Sequence, residues 1–328
     1  MKIAGIGNAL VDVLVRLEDD SVLKELGLQR GGMFLIDDAK HAKISVLLDT
    51  LHPAMTTGGS AGNTILALAN LHANPGFIGK IGHDKTGQFF AENCKQCGIN
   101  AILLYGNEAS GIANTFISKD GERTFATHLG AAASMKAEDV KQEWFEGYNL
   151  LHLEGYLVQN HELIERIAQV AKDAGQLISI DLASFNIVRE NLDFMHHLVR
   201  EYVDIIFANQ EESEAFTGLA DSDCALQAMA KMASIAVVKL GGQGSCVMSK
   251  GEKTIVPSNK VSVVDTTAAG DFFAGGFLYA YSQGAPLESC LKCGTLLAGQ
   301  AIQVVGTRLS EETWEEIRKQ TAMILARP

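Results

Sequence analysis

From residue 150 onward the chain alternates short apolar runs with longer helical patterns, and this alternation constrains the fold more than any other feature. Residues 150–153, 177–181, 205–208 and 235–240 read as strands, with helical patterns over 161–174, 191–202 and 210–217 between them. These strands are apolar almost throughout instead of alternating with polar residues. Strands of that kind belong to a parallel sheet covered on both faces. A hairpin-like stretch, 244–256, precedes two apolar helices over 269–283 and 287–304.

The N-terminal third is less regular. A short strand over 3–7 leads directly into extended chain at 10–15, followed by a helix over 63–71, a strand over 76–82 and a helix over 86–97 closed by Gly98. Runs at 101–105, 113–118 and 123–127, the last two joined by Lys119-Asp120-Gly121-Glu122, read as a β-meander. The expectation is one α/β domain over 1–328, with a doubly wound, mostly parallel sheet and helices on both faces. A small discontinuous β-sheet, from residues 9–37 and 100–128, would sit on it as a lid. Gly5-Ile6-Gly7 invites a dinucleotide-binding reading, but Leu10 replaces the third small residue and no helix follows.

The chain has 328 residues, 27 basic against 39 acidic, for a net charge of −12. It contains no run of Lys and Arg, so it lacks the long-range field that attracts a nucleic acid. No stretch approaches the ~18 apolar residues of a membrane span. Asn8 and Asp12 interrupt what would be a signal-peptide core, so the expected compartment is the cytoplasm, with reduced thiols. Cys94-x-x-Cys97 and Cys290-x-x-Cys293 have the spacing of a zinc site, but both lie in helical patterns far apart in sequence, which favours packed thiols. Exposed strand edges on the small sheet are compatible with a monomer or a homodimer.

The most informative stretch is Val261 to Gly276. Extended chain stops at Asp265, small residues turn it, and an apolar helix starts near Ala268. The first-turn N–H groups of a helix lack intrahelical acceptors and carry the positive end of its dipole, so they form an anion cradle. Asp271, in that first turn, is placed to act as a general base on a hydroxyl during phosphoryl transfer; the plainer alternative is a helix cap. Gly275 and Gly276 inside the helix predict close packing against another backbone. A second segment, Gly58-Gly59-Ser60-Ala61-Gly62-Asn63, has the same grammar, and Asn63 offers a donor and an acceptor to a hydroxyl. Gly58-x-Ser60-x-Gly62 also matches a nucleophile elbow, although residues 51–56 make a poor strand before it.

These two segments resemble the signatures of the ribokinase-like (PfkB) kinases of sugars and nucleosides, and the resemblance runs along nearly the whole chain. The departure is Ala268, where the family usually has glycine. An alanine with helical first-turn dihedrals would preserve the cradle. The resemblance implies that Asp271 is the catalytic base, with the N–H groups of Ala268, Ala269, Gly270 and Asp271 as anion hole. Asn8, Asp12, Gly58, Gly59, Ser60 and Asn63 are implied to hold substrate hydroxyls. It also implies that Asn209 lies near the ATP phosphates and that Glu212 holds Mg²⁺ through water. Lys239, Gly241, Gly242 and Gly244 would form the nucleotide-binding turn, and Asp265 and Thr267 would lie near a monovalent cation such as K⁺.

Glu122-Arg123-Thr124-Phe125, followed by Leu129-Gly130-Ala131-Ala132, resembles the adenosine-kinase branch of the family. There Arg123 is implied to reach the phosphates, and Phe125, Leu129 and Tyr156 to contact a base, for which an aromatic pocket is suited. The leading expectation is therefore an ATP-dependent kinase for the primary hydroxyl of an adenosine-like nucleoside. A kinase of a ribose- or fructose-like sugar is the alternative. Two further readings are a serine hydrolase using Ser60 and a non-catalytic nucleoside or sugar sensor.

Overall fold

The computed structural model describes residues 1–51, 53–120 and 122–326. Its strands are β1 (Ile3–Ile6), β2 (Leu10–Arg16), β3 (Met33–Leu35), β4 (Ala54–Gly58), β5 (Gly76–Gly82), β6 (Asn100–Gly106) and β7 (Gly111–Ile117). They continue as β8 (Arg123–His128), β9 (Leu150–Glu154), β10 (Leu177–Asp181), β11 (Ile205–Asn209), β12 (Ile235–Lys239), β13 (Ser245–Ser249) and β14 (Glu252–Val256). Nine form a large sheet in the order β14-β13-β12-β11-β10-β9-β1-β5-β6. It is parallel except where β13 runs against β12 and β14.

Successive residues of a buried strand face opposite layers. Accordingly Leu150, Ile205, Phe207 and Val237 join one core, while Leu151, Ile206, Ala208 and Val238 join another. Helices Ser60–Asn70, Lys85–Gln96, Ala269–Ser282 and Leu287–Ala301 supply Ile65, Phe90, Phe277 and Leu291 to the first core. Helices His161–Asp173, Leu192–Tyr202, Gln210–Thr217 and Ser222–Met229 supply Ile164, Leu198, Phe216 and Leu226 to the second. This is the doubly wound arrangement expected from the alternation.

The other five strands form a small mixed sheet in the order β3-β8-β7-β2-β4. Its membership corrects the expected boundaries. Residues 100–106 are β6, paired parallel to β5 at the edge of the large sheet. Helix Lys85–Gln96 supplies the crossover that parallel pairing requires, so this stretch completes a β-α-β unit and not a meander. The weakly patterned segment before Gly58 contributes β4, an edge strand with Ala54 and Met55 exposed, which pairs antiparallel to β2. His52 in that segment and Gly121 in the expected β7–β8 turn lie outside the described residues.

Gly275 and Gly276 do serve close packing. A Cβ on Gly275 would stand 2.7 Å from Ala67 Cβ, and one on Gly276 would stand 2.5 Å from the carbonyl oxygen of Cys293. Helix Ala269–Ser282 is thereby wedged between helices Ser60–Asn70 and Leu287–Ala301. Cys94, Cys290 and Cys293 are buried in the first core, where burial pushes each thiol up to about 12. They are inert packing groups at neutral pH. Among the described residues no helix is long and apolar enough to cross a membrane.

Candidate active site

Strands of the large sheet end on polar residues along one carboxyl edge. Glu154 closes β9, Asp181 closes β10, Asn209 closes β11 and Lys239 closes β12, while Asn8 follows β1 by two residues. The strand order reverses beside β1, which has β9 on one side and β5 on the other. Ligands of open α/β sheets bind at such a reversal, beyond the carboxyl ends. A cavity of about 2240 Å³ lies there, between the strand ends, the start of helix Ala269–Ser282 and the underside of the small sheet. Single-ligand pockets occupy roughly 300–1,000 Å³, so this one has room for two ligands side by side.

The two signature segments meet inside it. Ser60 Oγ donates to Asp271 Oδ1 at 2.7 Å, and Asn63 Nδ2 donates to Asp271 Oδ2 at 2.9 Å. Helix Ser60–Asn70 begins earlier than expected, with Gly59 as its cap at φ 82°, and a Cβ there would collide with the Asn8 carbonyl. Only glycine meets both demands. Burial and the charge of Asp181 raise the Asp271 carboxyl to about 7, against the opposing pull of its hydrogen bonds and Lys239. Asp12, on β2, faces the same space and is also pushed up to about 7, by burial and by Asp271.

Ala268 corrects the expectation that it keeps ordinary helical dihedrals. It caps helix Ala269–Ser282 in the left-handed region, at φ 58° and ψ 9°, a conformation that costs an L-residue about 1–2 kcal/mol. Ala269 N–H donates to the Thr266 carbonyl at 3.2 Å, and Phe272 N–H closes the first turn on Ala268 at 2.9 Å. Ala269 N–H, expected in the anion hole, is thereby engaged, whereas the N–H groups of Ala268, Gly270 and Asp271 find no acceptor among the described residues and remain for an incoming anion.

Asn209 and Glu212 form a reciprocal cap. Glu212 N–H donates to Asn209 Oδ1 at 2.8 Å, while Asn209 N–H and Nδ2 each donate to the Glu212 carboxylate at 2.7 Å. Burial raises Glu212 to about 7, opposed by Lys239. Asp181, Glu212 and Asp271 thus act on a single ammonium, that of Lys239. Carboxylate oxygens are the hard donors that Mg²⁺ takes one or two at a time with waters and substrate phosphates, and among the described residues no three metal-ligating side chains converge. Gly241, Gly242 and Gly244 line the far end of the cavity with Val261, Val263, Leu296 and Ile302. Leu10, Leu35, Phe125 and Leu129 line the small-sheet side, facing Tyr156.

Gly58, Arg123 and Asp265 stand behind the cavity wall. Gly58 lies against the Asp12 carboxylate, where a Cβ would clash. Arg123 Nη1, from β8, pairs with Asp265 Oδ1 and donates to Thr267 Oγ1 at 3.1 Å. Asp265 also accepts from Thr267 N–H at 2.8 Å and from Gly306 N–H at 2.7 Å. A guanidinium and two amides already engage this carboxylate, so the residue pair expected to lie near K⁺ does not fit a monovalent cation in this arrangement.

Two site residues were not anticipated. Glu154 is buried and accepts from Asn8 Nδ2 at 2.6 Å, Asn8 N–H at 3.3 Å and Ala61 N–H at 3.1 Å, tying the β1 end to the glycine-rich helix start. Asp181 accepts from Lys239 Nζ at 2.7 Å. Each is a lone acid closing an apolar strand, a signal the sequence did contain.

A sequence profile of the pfkB family of carbohydrate kinases matches residues 35–314. The chain belongs to that family. Among solved structures, a probable sugar kinase from Rhizobium etli superposes with a TM-score of 0.86 at 31% identity, covering 98% of each chain. The adenosine kinase of Sinorhizobium meliloti superposes at 0.85 with 32% identity, covering 97% of this chain and 99% of its own. Adenosine kinase of Saccharomyces cerevisiae is 26% identical over 94% of this chain and 96% of its own length. This pfkB protein is a sugar or nucleoside kinase with the ribokinase-like fold. The hydrolase alternative fails on geometry: Ser60 follows an edge strand, and its hydroxyl is bonded to a carboxylate and not to a histidine.

Proposed function

We propose that this kinase transfers the γ-phosphate of ATP to the primary hydroxyl of an adenosine-like nucleoside. The observation that carries the choice of acceptor is the apolar underside of the small sheet. Leu10, Leu35, Phe125 and Leu129 form a surface for a flat base, next to Asn8 and Asp12, which suit ribose hydroxyls. A free sugar would leave that surface without a partner.

In this reading Asp12, Asn8 and Asn63 orient the ribose so that its primary hydroxyl meets Asp271. Asp271 accepts the hydroxyl proton, and a carboxyl raised to about 7 is matched to that task near neutral pH. The N–H groups of Gly270 and Asp271 hold the oxygens of the moving phosphoryl group. Asn209, Lys239, Gly241, Gly242 and Gly244 seat the nucleotide, and Glu212 would hold Mg²⁺ through water, an ion that would supply charge neutralisation at the phosphates. The small sheet acts as a lid that excludes water, latched by Arg123 on Asp265.

The test is ATP consumption with adenosine, inosine, guanosine, ribose and fructose as acceptors. Adenosine giving the highest kcat/KM supports the proposal. A silent adenosine beside an active sugar overturns it in favour of a sugar kinase.

A further inference from the structure

Lys239 is an ammonium placed where fold stability alone gives it little reason to be. It closes β12 with its side chain 14% exposed, paired to an Asp181 side chain that is 6% exposed. Its other side abuts the start of helix Ala269–Ser282, where a Cβ on Gly270 would stand 2.9 Å from Nζ. Glycine at 270 lets the ammonium approach the helix N-terminus. That terminus is itself the positive end of the helix dipole, so the approach of a cation is unfavourable in isolation. Burial also works against the charge, and Asp181 and Glu212 outweigh it, holding Lys239 above the ordinary lysine value.

One hydrogen bond to Asp181 satisfies only part of a group with three N–H donors, and Lys239 lines the cavity. The ammonium and the amides of Gly270 and Asp271 therefore converge on one space. A multiply charged anion entering that space is attracted by the ammonium and the amides together. We propose that Lys239 is a catalytic cation that contacts the transferring phosphoryl group, and that Asp181 is the positioning residue that aims it. This rests on the phosphotransfer reading and adds a side-chain charge to the backbone cradle.

During transfer, a bond forms between the acceptor oxygen and the γ-phosphorus while the bond from that phosphorus to the β,γ-bridging oxygen breaks. The hydroxyl proton passes to Asp271, and the bridging oxygen leaves with ADP, carrying the electron pair. Lys239 keeps its protons throughout and contributes charge alone.

The test compares the wild type with Lys239→Met, Asp181→Asn and the double variant Lys239→Met/Asp181→Leu. The double variant removes both charges and guards against an unpaired buried carboxylate, since a buried pair is often replaceable by apolar groups without loss of stability. Folding is checked by melting. Calorimetry with MgATP and MgADP, without acceptor, is expected to show ATP affinity falling about tenfold or more in Lys239→Met and in the double variant, with ADP affinity unchanged. Turnover should fall about 10²–10³-fold in both, with the acceptor KM within about threefold. Asp181→Asn should lower kcat about tenfold and spare ADP affinity. A folded double variant with wild-type turnover, or equal losses for ATP and ADP, overturns the proposal. The calorimetric arm needs no acceptor, so it decides the role of Lys239 separately from the identity of the acceptor.

Discussion

Ser60 and Asp271, 211 positions apart, are joined by a hydrogen bond of 2.7 Å, and Asn63 completes the hold on the same carboxylate. The first signature thus fixes the carboxylate carried by the second, the group proposed as the base. Asp271→Asn is expected to keep this geometry and lose proton acceptance. Turnover should fall about 10³-fold or more while acceptor binding, measured by calorimetry, stays within about threefold. Ser60→Ala should cost turnover about tenfold only. Undiminished turnover in Asp271→Asn would remove it from the role of base.

The pH–rate profile follows from the Asp271 carboxyl and from Asp12, which lines the same cavity. Asp271 and Asp12 are each raised to about 7, chiefly by burial, and the charge of Asp271 adds to the shift of Asp12. With Asp271 acting as base, kcat/KM should climb with pH and level off above about 7, falling close to tenfold per pH unit well below it. A flat profile between pH 5 and 8 would contradict this.

Stability should run the other way. The folded-state value of Asp271, about 7, lies above its ordinary value of 3.8. The folded chain therefore binds more protons than the unfolded one between these limits, and its contribution becomes more unfavourable as pH rises from about 4 to about 7. Asp271→Asn lacks that burden. Its Tm is expected to match the wild type near pH 4 and exceed it at pH 8; a lower Tm at pH 8 would refute the electrostatic account.

Much of this was legible in the sequence, and the omissions have physical reasons. Apolar strands and a regular helical period show a two-faced sheet because burial acts on every residue of such elements. Edge strands carry a weaker imprint: β4 has Ala54 and Met55 exposed, so its pattern resembles loop. Residues 100–106 look like part of a meander because their parallel pairing is determined by the preceding helix, not by the strand itself. The left-handed dihedral of Ala268 was hidden because alanine gives no sign of it, whereas glycine would have. Glu154 and Asp181 act through residues distant in sequence, and only the fold brings each to its partner.

Arg123 links the small sheet to the turn before Asp271. Its side chain is 15% exposed and that of Asp265 1%. Arg123→Met leaves Asp265 with its two amide donors but without its charge partner, an expected loss of about 2 kcal/mol in denaturant unfolding, below the 3–5 kcal/mol of a wholly unpaired buried charge. The acceptor KM should rise in the same variant. Unchanged stability and KM would dissolve the proposed latch.

Because Arg123 occupies the carboxylate that would otherwise attract a monovalent cation, turnover should be the same in potassium, sodium and tetramethylammonium salts at matched ionic strength. A several-fold activation by potassium would show that the guanidinium leaves Asp265 in the working enzyme.

The small sheet is complete in sequence by residue 128, yet what its apolar underside faces comes from Tyr156 and from the helix that starts at Ala269. During synthesis from the N-terminus, Leu10, Phe125 and Leu129 emerge well before the surfaces opposite them. The nascent chain thus presents a greasy, strand-edged fragment to its surroundings while more than half of the protein is still unmade. Chaperone capture and truncation products that aggregate are the expected signatures of this gene order, and a circular permutant starting near residue 145 would emerge with its hydrophobic debt settled sooner.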